Sequence, residues 1–369
     1  MRPSGKYFWL VLAVAGLLTA LLVYVVETVS RGATSLLYSD VLQTAIVLWA
    51  ALCALQVARK SSGYLGQLWM LLTTALFLGC AAQGLETYYQ SIVHAPTLTP
   101  RPSDVLFILW VTPAVMMLLP RPPKESGAFD WQQVLDFAQI GVVALTAYLY
   151  SFYIPSSWEA EGPHMVLKIF RVQLVRDAAL AAGFLIRART VSKSSIRTFF
   201  MSMGGFFALA SASDVVFLLA PNTSPTAATW TDVAWCAPFL LITFIAAAWD
   251  REEEALPPHG TSRFRTIVVS QALPIVIPLL VLFMGRRIAA EQITLAWIAV
   301  TGSFILSGAR LVLTNEKQRQ IAEDLLRTEE ALIRSQRMFS TAFRSTPDAV
   351  GISVIPGGSF WKPMTALRG

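Results

Sequence analysis

Charge is what this sequence has least of. Of 369 residues only 14% are Asp, Glu, Lys or Arg, whereas 55% are hydrophobic and 11% aromatic. A soluble domain of average usage carries roughly a quarter charged residues. The deficit excludes a disordered chain, a nucleic-acid-binding domain with basic stripes and an ordinary water-soluble enzyme, so no nucleic-acid partner is expected. Cysteine is scarce too. Cys53, Cys80 and Cys236 all lie in apolar blocks, and an odd number without a CxxC pair gives neither a disulfide framework nor a metal or redox site. They read as small packing residues. Histidine is as rare: His94, His164 and His259 fall in expected loops, not opposite one another in a helix as a membrane haem or metal site requires. No Gly-rich phosphate loop is present, since Gly204 and Gly205 stand inside an apolar run. No metal, cofactor or catalytic constellation is therefore expected.

What the chain does have is apolar blocks about 20 residues long, the length a helix needs to cross about 30 Å of hydrocarbon. The fold class is all-α, a polytopic transmembrane helical bundle in the lipid bilayer. About ten spans are expected, at 7–26, 41–58, 65–85, 104–119, 134–154, 166–187, 199–219, 231–249, 267–285 and 292–313. The first apolar run is too long for a signal-peptide core and has no small-residue cleavage site after it, so it reads as a span. Lys and Arg set the orientation. Arg59, Lys60, Arg121, Lys124, Arg187, Arg189, Lys193 and Arg251 fall in loops on one side, against Arg31, Arg101, Arg286 and Arg287 on the other. Both termini are then cytoplasmic, and the formal net charge of +6 is mainly a signature of orientation.

An internal repeat is expected. Glu86 and Asp214 share one offset (214 − 86 = 128) with Asp104 and Asp232 and with Arg59 and Arg187. That offset lays the first four spans on the next four in the same orientation, a parallel 4+4 repeat with two spans added. Gly204, Ala208 and Ala212 recur every four residues, a small-residue stripe that lets a neighbouring helix approach. Aromatics at span ends, among them Trp110 and Trp249, read as interface anchors.

Ionisable residues inside spans cost at least about 2.5–3.5 kcal/mol to insert, so they mark candidate sites. The sixth span carries Lys168, Arg171, Arg176 and Asp177. Arg171 and Asp214 stand at matching depths and are expected to pair. Arg176 and Asp177 project about 100° apart and are expected to be poor partners for each other. With Glu86, Asp104 and Asp232 they would ring a polar, outward-open cavity. Two readings stand side by side: a ligand or ion site, or interhelical charge pairs that only fix register. The acidic run 250–254 reads as a solvated loop.

Beyond the bundle (1–313) composition changes. Residues 314–340 are polar and helix-favouring, with Glu323 to Arg327 and Glu330 to Arg334 at i,i+4 spacing. Gln318, Leu325, Leu332 and Phe339 fall on one heptad seam and Ile321, Thr328 and Ser335 on the other. This mixed seam predicts a weak signalling coiled coil that forms a homodimer. From Arg334 onward, Arg-Ser-Gln-Arg-Met-Phe339-Ser-Thr-Ala-Phe343-Arg-Ser345-Thr-Pro347-Asp348-Ala349-Val350 resembles the opening of a PAS domain. Pro347 stops the helix, Val350, Ile352 and Val354 alternate as a strand, and Gly357-Gly358 makes a turn. Residues 341–369 are too few for a PAS fold of about a hundred residues, so the stretch reads as a truncated start. The whole is similar to bacterial inner-membrane sensors, the sensor histidine kinases and diguanylate cyclases. That resemblance implies a membrane input module for an unknown cue, with no catalytic domain in this chain. The competing reading is a transporter or membrane enzyme built on the Arg/Asp cluster.

Overall fold

Long apolar stretches make the computed structural model helical almost throughout, even across Pro238 in one helix and Pro274 and Pro278 in another. It describes residues 5–29, 32–93, 102–118, 131–153, 163–191, 194–219, 227–249 and 263–345, together with two short strands. The helices are α1 (Gly5–Thr28), α2 (Ala33–Lys60), α3 (Gly63–Thr87), α4 (Pro102–Leu109), α5 (Val111–Leu118), α6 (Trp131–Tyr148), α7 (Pro163–Thr190), α8 (Ser194–Leu219), α9 (Trp230–Ala247), α10 (Arg263–Glu291) and α11 (Ile293–Ser345). A π-helical turn extends α3 over Tyr88–Ile92 and another extends α6 over Leu149–Tyr153. Among the described residues seven helices are long and apolar enough to cross a membrane: α1, α2, α3, α6, α8, α9 and the first part of α11. The chain is thus a multi-pass membrane protein. α7 and α10, of 28 and 29 residues, have the length. α7 carries Arg171, Arg176, Asp177, Arg187 and Arg189 along it and is not among the seven.

The expected fourth span is different. It is two eight-residue helices, α4 and α5, interrupted at Trp110. Eight residues rise about 12 Å, well under the hydrocarbon thickness. Pro113 supplies the physical reason: without an N–H it leaves the Leu109 carbonyl unbonded.

Two units divide the chain, 1–310 and 311–369. In the first, the core is aromatic. Phe184 of α7 stacks on Phe207 of α8 at 5.5 Å between ring centroids, and Trp69 of α3 meets Phe199 and Trp249 edge-on at 5.3 and 5.0 Å. Trp249 is half-buried just past the end of α9 and packs against this core. Some helix neighbours match the 128-residue offset, although α1 packs on α2 without a matching α6–α7 packing among the described residues. α2 packs on α3 as α7 packs on α8, and α4 and α5 pack on α3 as α9 packs on α8. Across the two halves, α1 and α2 pack on α9, while α6 packs on α4 and α5, and α7 on α5. Each half therefore lays its first two helices against the fourth segment of the other. α10 packs on α6 outside this pattern.

The small-residue stripe is only partly used. A Cβ on Gly204 would lie 2.6 Å from Leu185 Cδ2, so α7 and α8 close on each other there. Ala208 and Ala212 are exposed and bring no helix close. All three cysteines are free.

The second unit contains the end of α11, an unbroken helix that extends past 340 to Ser345. Its seam residues Ile321, Leu325, Leu332 and Phe339 are exposed. Its surface pairs differ from the expected ones: Arg319 meets Glu323 at 3.0 Å and Arg327 meets Asp324 at 3.6 Å. Strand β1 (Ser353–Val354) pairs antiparallel with β2 (Ser359–Phe360), Ser353 opposite Phe360. A two-rung ladder is too small to identify a PAS domain. His94, His259, residues 250–254 and the basic loop residues Arg31, Arg101, Arg121, Lys124, Lys193 and Arg251 lie outside the described residues.

Candidate functional site

Polar groups inside the bundle sort into three sets. The first joins α2, α3, α4 and α9. Asp232 is the third residue of α9 and caps its N-terminus by accepting the Thr229 backbone N–H at 3.0 Å. The same oxygen accepts the Ser39 hydroxyl of α2 at 2.8 Å, and Gln43, one turn along α2, donates to Ser39 Oγ at 3.1 Å. Asp40 is buried beside them and accepts the Ser91 hydroxyl at 3.1 Å. Ser91 reaches it from the π-helical turn that ends α3, a distortion often found at functional positions. Glu86 accepts the Ser103 hydroxyl of α4 at 2.7 Å. Asp40 interacts electrostatically with both Asp232 and Glu86, which makes the three carboxylates one group.

The second set joins α5, α7 and α8. Arg176 Nε donates to Asp177 Oδ1 at 2.7 Å, and its guanidinium lies over the Trp110 ring at 5.6 Å. Trp110 also stacks on Phe207, so it serves as a platform for a cation and not as an interface anchor. Asp214 of α8 is 3% exposed, as is Asp177, and it interacts electrostatically with Asp177 and Arg176. Its Oδ2 has no hydrogen-bond partner.

The third set joins α6 to α11. Arg310 Nε donates to Asp136 Oδ1 at 2.5 Å, and Gln139 donates to Ser307 Oγ at 2.8 Å. Ser303, Ser307 and Arg310 stand at i, i+4 and i+7, so one buried polar face of α11 meets α6.

Measured against expectation, Glu86 and Asp232 belong to one group and Arg176, Asp177 and Asp214 to another, in place of a single ring. The expected Arg171–Asp214 pair is absent, because Arg171 is exposed while Asp214 is buried. Arg176 and Asp177 do pair, against expectation: the 100° between their Cβ directions is overcome by the length of the arginine stem. The side chains of Asp104, Lys168 and His164 lie outside the described ones.

Three residues that mattered were not picked out: Asp40, Asp136 and Arg310. Asp40 had a signal, since the 128-residue offset places it on Lys168. Asp136 and Arg310 stand near the ends of their apolar runs, where a charge is unremarkable.

These groups offer fixed charges and hydrogen bonds between helices. Among the described residues no set of three or more His, Cys, Asp or Glu side chains could hold a metal ion. No protein-family model, curated protein or solved structure matches this chain.

Proposed function

We propose that this chain is a membrane-embedded sensory input module, of the kind found in the bacterial cytoplasmic membrane, that relays a cue to a cytoplasmic PAS or output domain. One observation carries the reading. α11 is a single helix of 53 residues that begins apolar, is pinned to α6 by Arg310 and Asp136, and continues as an exposed polar helix with an apolar seam. Residues 311–345 continue the same helix, and in this reading a shift or rotation at Arg310 is passed along it. A cue that favours one packing of α6 against α11 over another would move the seam of 314–340, and two copies of that seam form the weak homodimer that reads the movement. The PAS-like residues after Arg334 support the same reading, with both termini cytoplasmic.

A second reading has its own support. The set of half-buried Arg176 with buried Asp177 and Asp214 is the type of intramembrane charge group that transporters use.

Disulfide cross-linking of the full chain in vesicles tests the sensor reading. Cys53, Cys80 and Cys236 are first replaced by serine, and single cysteines are placed at Leu325, Leu332 and Arg327. Cross-linking at Leu325 and Leu332 well above that at Arg327 supports a parallel seam, and Asp136→Asn should change the ratio. Equal cross-linking at all three, unaltered by Asp136→Asn, removes the relay.

A further inference from the structure

We propose that a groove between α3 and α5 binds one phospholipid with an anionic headgroup, drawn from the leaflet that meets the turn between α2 and α3. The inference rests on the chain being embedded in a membrane and does not depend on the sensory reading. It starts from the brevity of the fourth segment. α3 has 25 residues, or about 37 Å of helix, while α5 beside it has eight, or about 12 Å. A short helix against a long one leaves part of the long one's face without a helical neighbour. Tyr64, Gln67, Leu68, Leu71 and Thr74 recur at helical spacing along α3 and, with Met116 of α5, line a cavity of about 120 Å³. From Tyr64 to Thr74 the groove runs about 15 Å along the helix, and its walls are mostly apolar. That is the shape of a stretch of acyl chain, and it is too small to admit a helix about 10–12 Å across.

Polar groups at one end of the groove select the occupant. Thr74 is satisfied within its own helix, donating to the Met70 carbonyl at 2.9 Å. Gln67 is half-buried, and its amide engages no described residue. It stands four residues past the start of α3 (67 − 63 = 4), about 6 Å along the helix. The polar interfacial layer of a bilayer is about 5–8 Å deep on each side, so Gln67 lies at the level of phospholipid ester carbonyls, which accept from an amide N–H. Charge agrees with this placement. Arg59 and Lys60 are exposed at the end of α2. The turn after them folds onto the start of α3: a Cβ on Gly66 would lie 2.5 Å from the Ser61 carbonyl oxygen and 3.8 Å from that of Ala58. Lys60 leans over the Tyr7 ring of α1 at 5.3 Å, whereas Arg59 engages no described residue. No acid lines the groove among the described residues. A cation at that depth attracts an anionic headgroup. Arg121, Lys124 and Glu125, which follow α5, lie outside the described residues, so charge is tested at Arg59.

The test is photo-cross-linking of the full chain in phosphatidylcholine vesicles that carry a trace of phosphatidylglycerol with a diazirine in one acyl chain. Peptide mapping then locates the label. In wild type it should concentrate on residues 64–74 and on Met116, well above exposed Leu17 and Tyr24 of α1. A phosphatidylcholine carrying the same diazirine should label the lining about fivefold less, the factor for one cation near the surface, and Arg59→Gln should remove that difference. Inorganic phosphate added to the vesicles should displace nothing. Leu71→Trp fills the groove and should abolish labelling of the lining, while Leu52→Trp, exposed on α2 outside the lining, should leave it intact. The comparison of the two lipids on wild type needs no substitution, so it stands even where a variant fails to fold. Label spread evenly over α1 and α3 in wild type overturns the proposal. Equal labelling by the two lipids, or displacement by inorganic phosphate, does so as well.

Discussion

Arg310 and Asp136 are 174 residues apart in sequence and joined by one hydrogen bond, Nε to Oδ1, with side chains only 9% and 13% exposed. The bond ties α11 to α6 where α11 leaves the first unit. Removing one partner of a buried ion pair takes a compensating charge away from the other. Arg310→Ala or Asp136→Ala should each destabilise the bundle, by at most about 3–5 kcal/mol, whereas the double change to Met and Leu should recover part of the loss. Thermal unfolding in one detergent measures this. A double variant as unstable as the singles would show that the pair contributes little and that the side chains act by packing.

Ser39 and Asp232 form a second long-range link, 193 residues apart. Ser39→Ala takes one of the two donors from the Asp232 oxygen and should cost about 1.5–3 kcal/mol, the range for a hydrogen bond to a charged group. In Asp232→Asn background the same substitution should cost less. A double-mutant cycle without coupling would place the role of Ser39 elsewhere, with Gln43 as the neighbour to test next.

Gly204 of α8 faces Leu185 and the Ala181 carbonyl of α7. A methyl group there meets Leu185 Cδ2 at 2.6 Å, and overpacking of this kind typically costs about 1–3 kcal/mol. Because the obstructing atom ends a flexible side chain, Gly204→Ala combined with Leu185→Ala should regain part of what Gly204→Ala alone loses. If Gly204→Ala melts at the wild-type temperature, the approach of the two helices is looser than described.

Leu325 and Leu332 are 64% and 58% exposed. In the homodimer proposed above, Leu325→Glu with Leu332→Glu should abolish energy transfer between labelled copies in vesicles while leaving the melting of the bundle unchanged. Undiminished transfer would move the dimer contact off the seam.

The helical bundle was legible because its signal is additive. Apolar runs of about 20 residues name spans one at a time, and α1, α2, α3, α8 and α9 fall where such runs place them. The 128-residue offset matches some of the helix contacts, but not the packing of α1 on α2. The expected fourth span corresponds to a shorter apolar helical stretch, Val105–Leu118, and hydropathy does not register the helix break at Trp110 or the donor that Pro113 lacks. The candidate site was half legible. A charge inside a span announces itself, so Arg176, Asp177 and Asp214 stood out, but partners do not. Depth alone suggested Arg171 for Asp214, whereas helix rotation turns Arg171 outward and Asp214 inward.

Scarcity of charge, then, determined by itself that this chain lives in a bilayer as helices, since hydrocarbon demands that each segment satisfy its own backbone hydrogen bonds. Only the tertiary structure decided which charges meet. Whether Arg176 holds Asp177, whether Arg310 holds Asp136 and whether Asp214 is left without a donor depend on the rotation and approach of packed helices. Those are set by contacts between helices, across separations that reach the 174 positions between Arg310 and Asp136, and local sequence does not encode them.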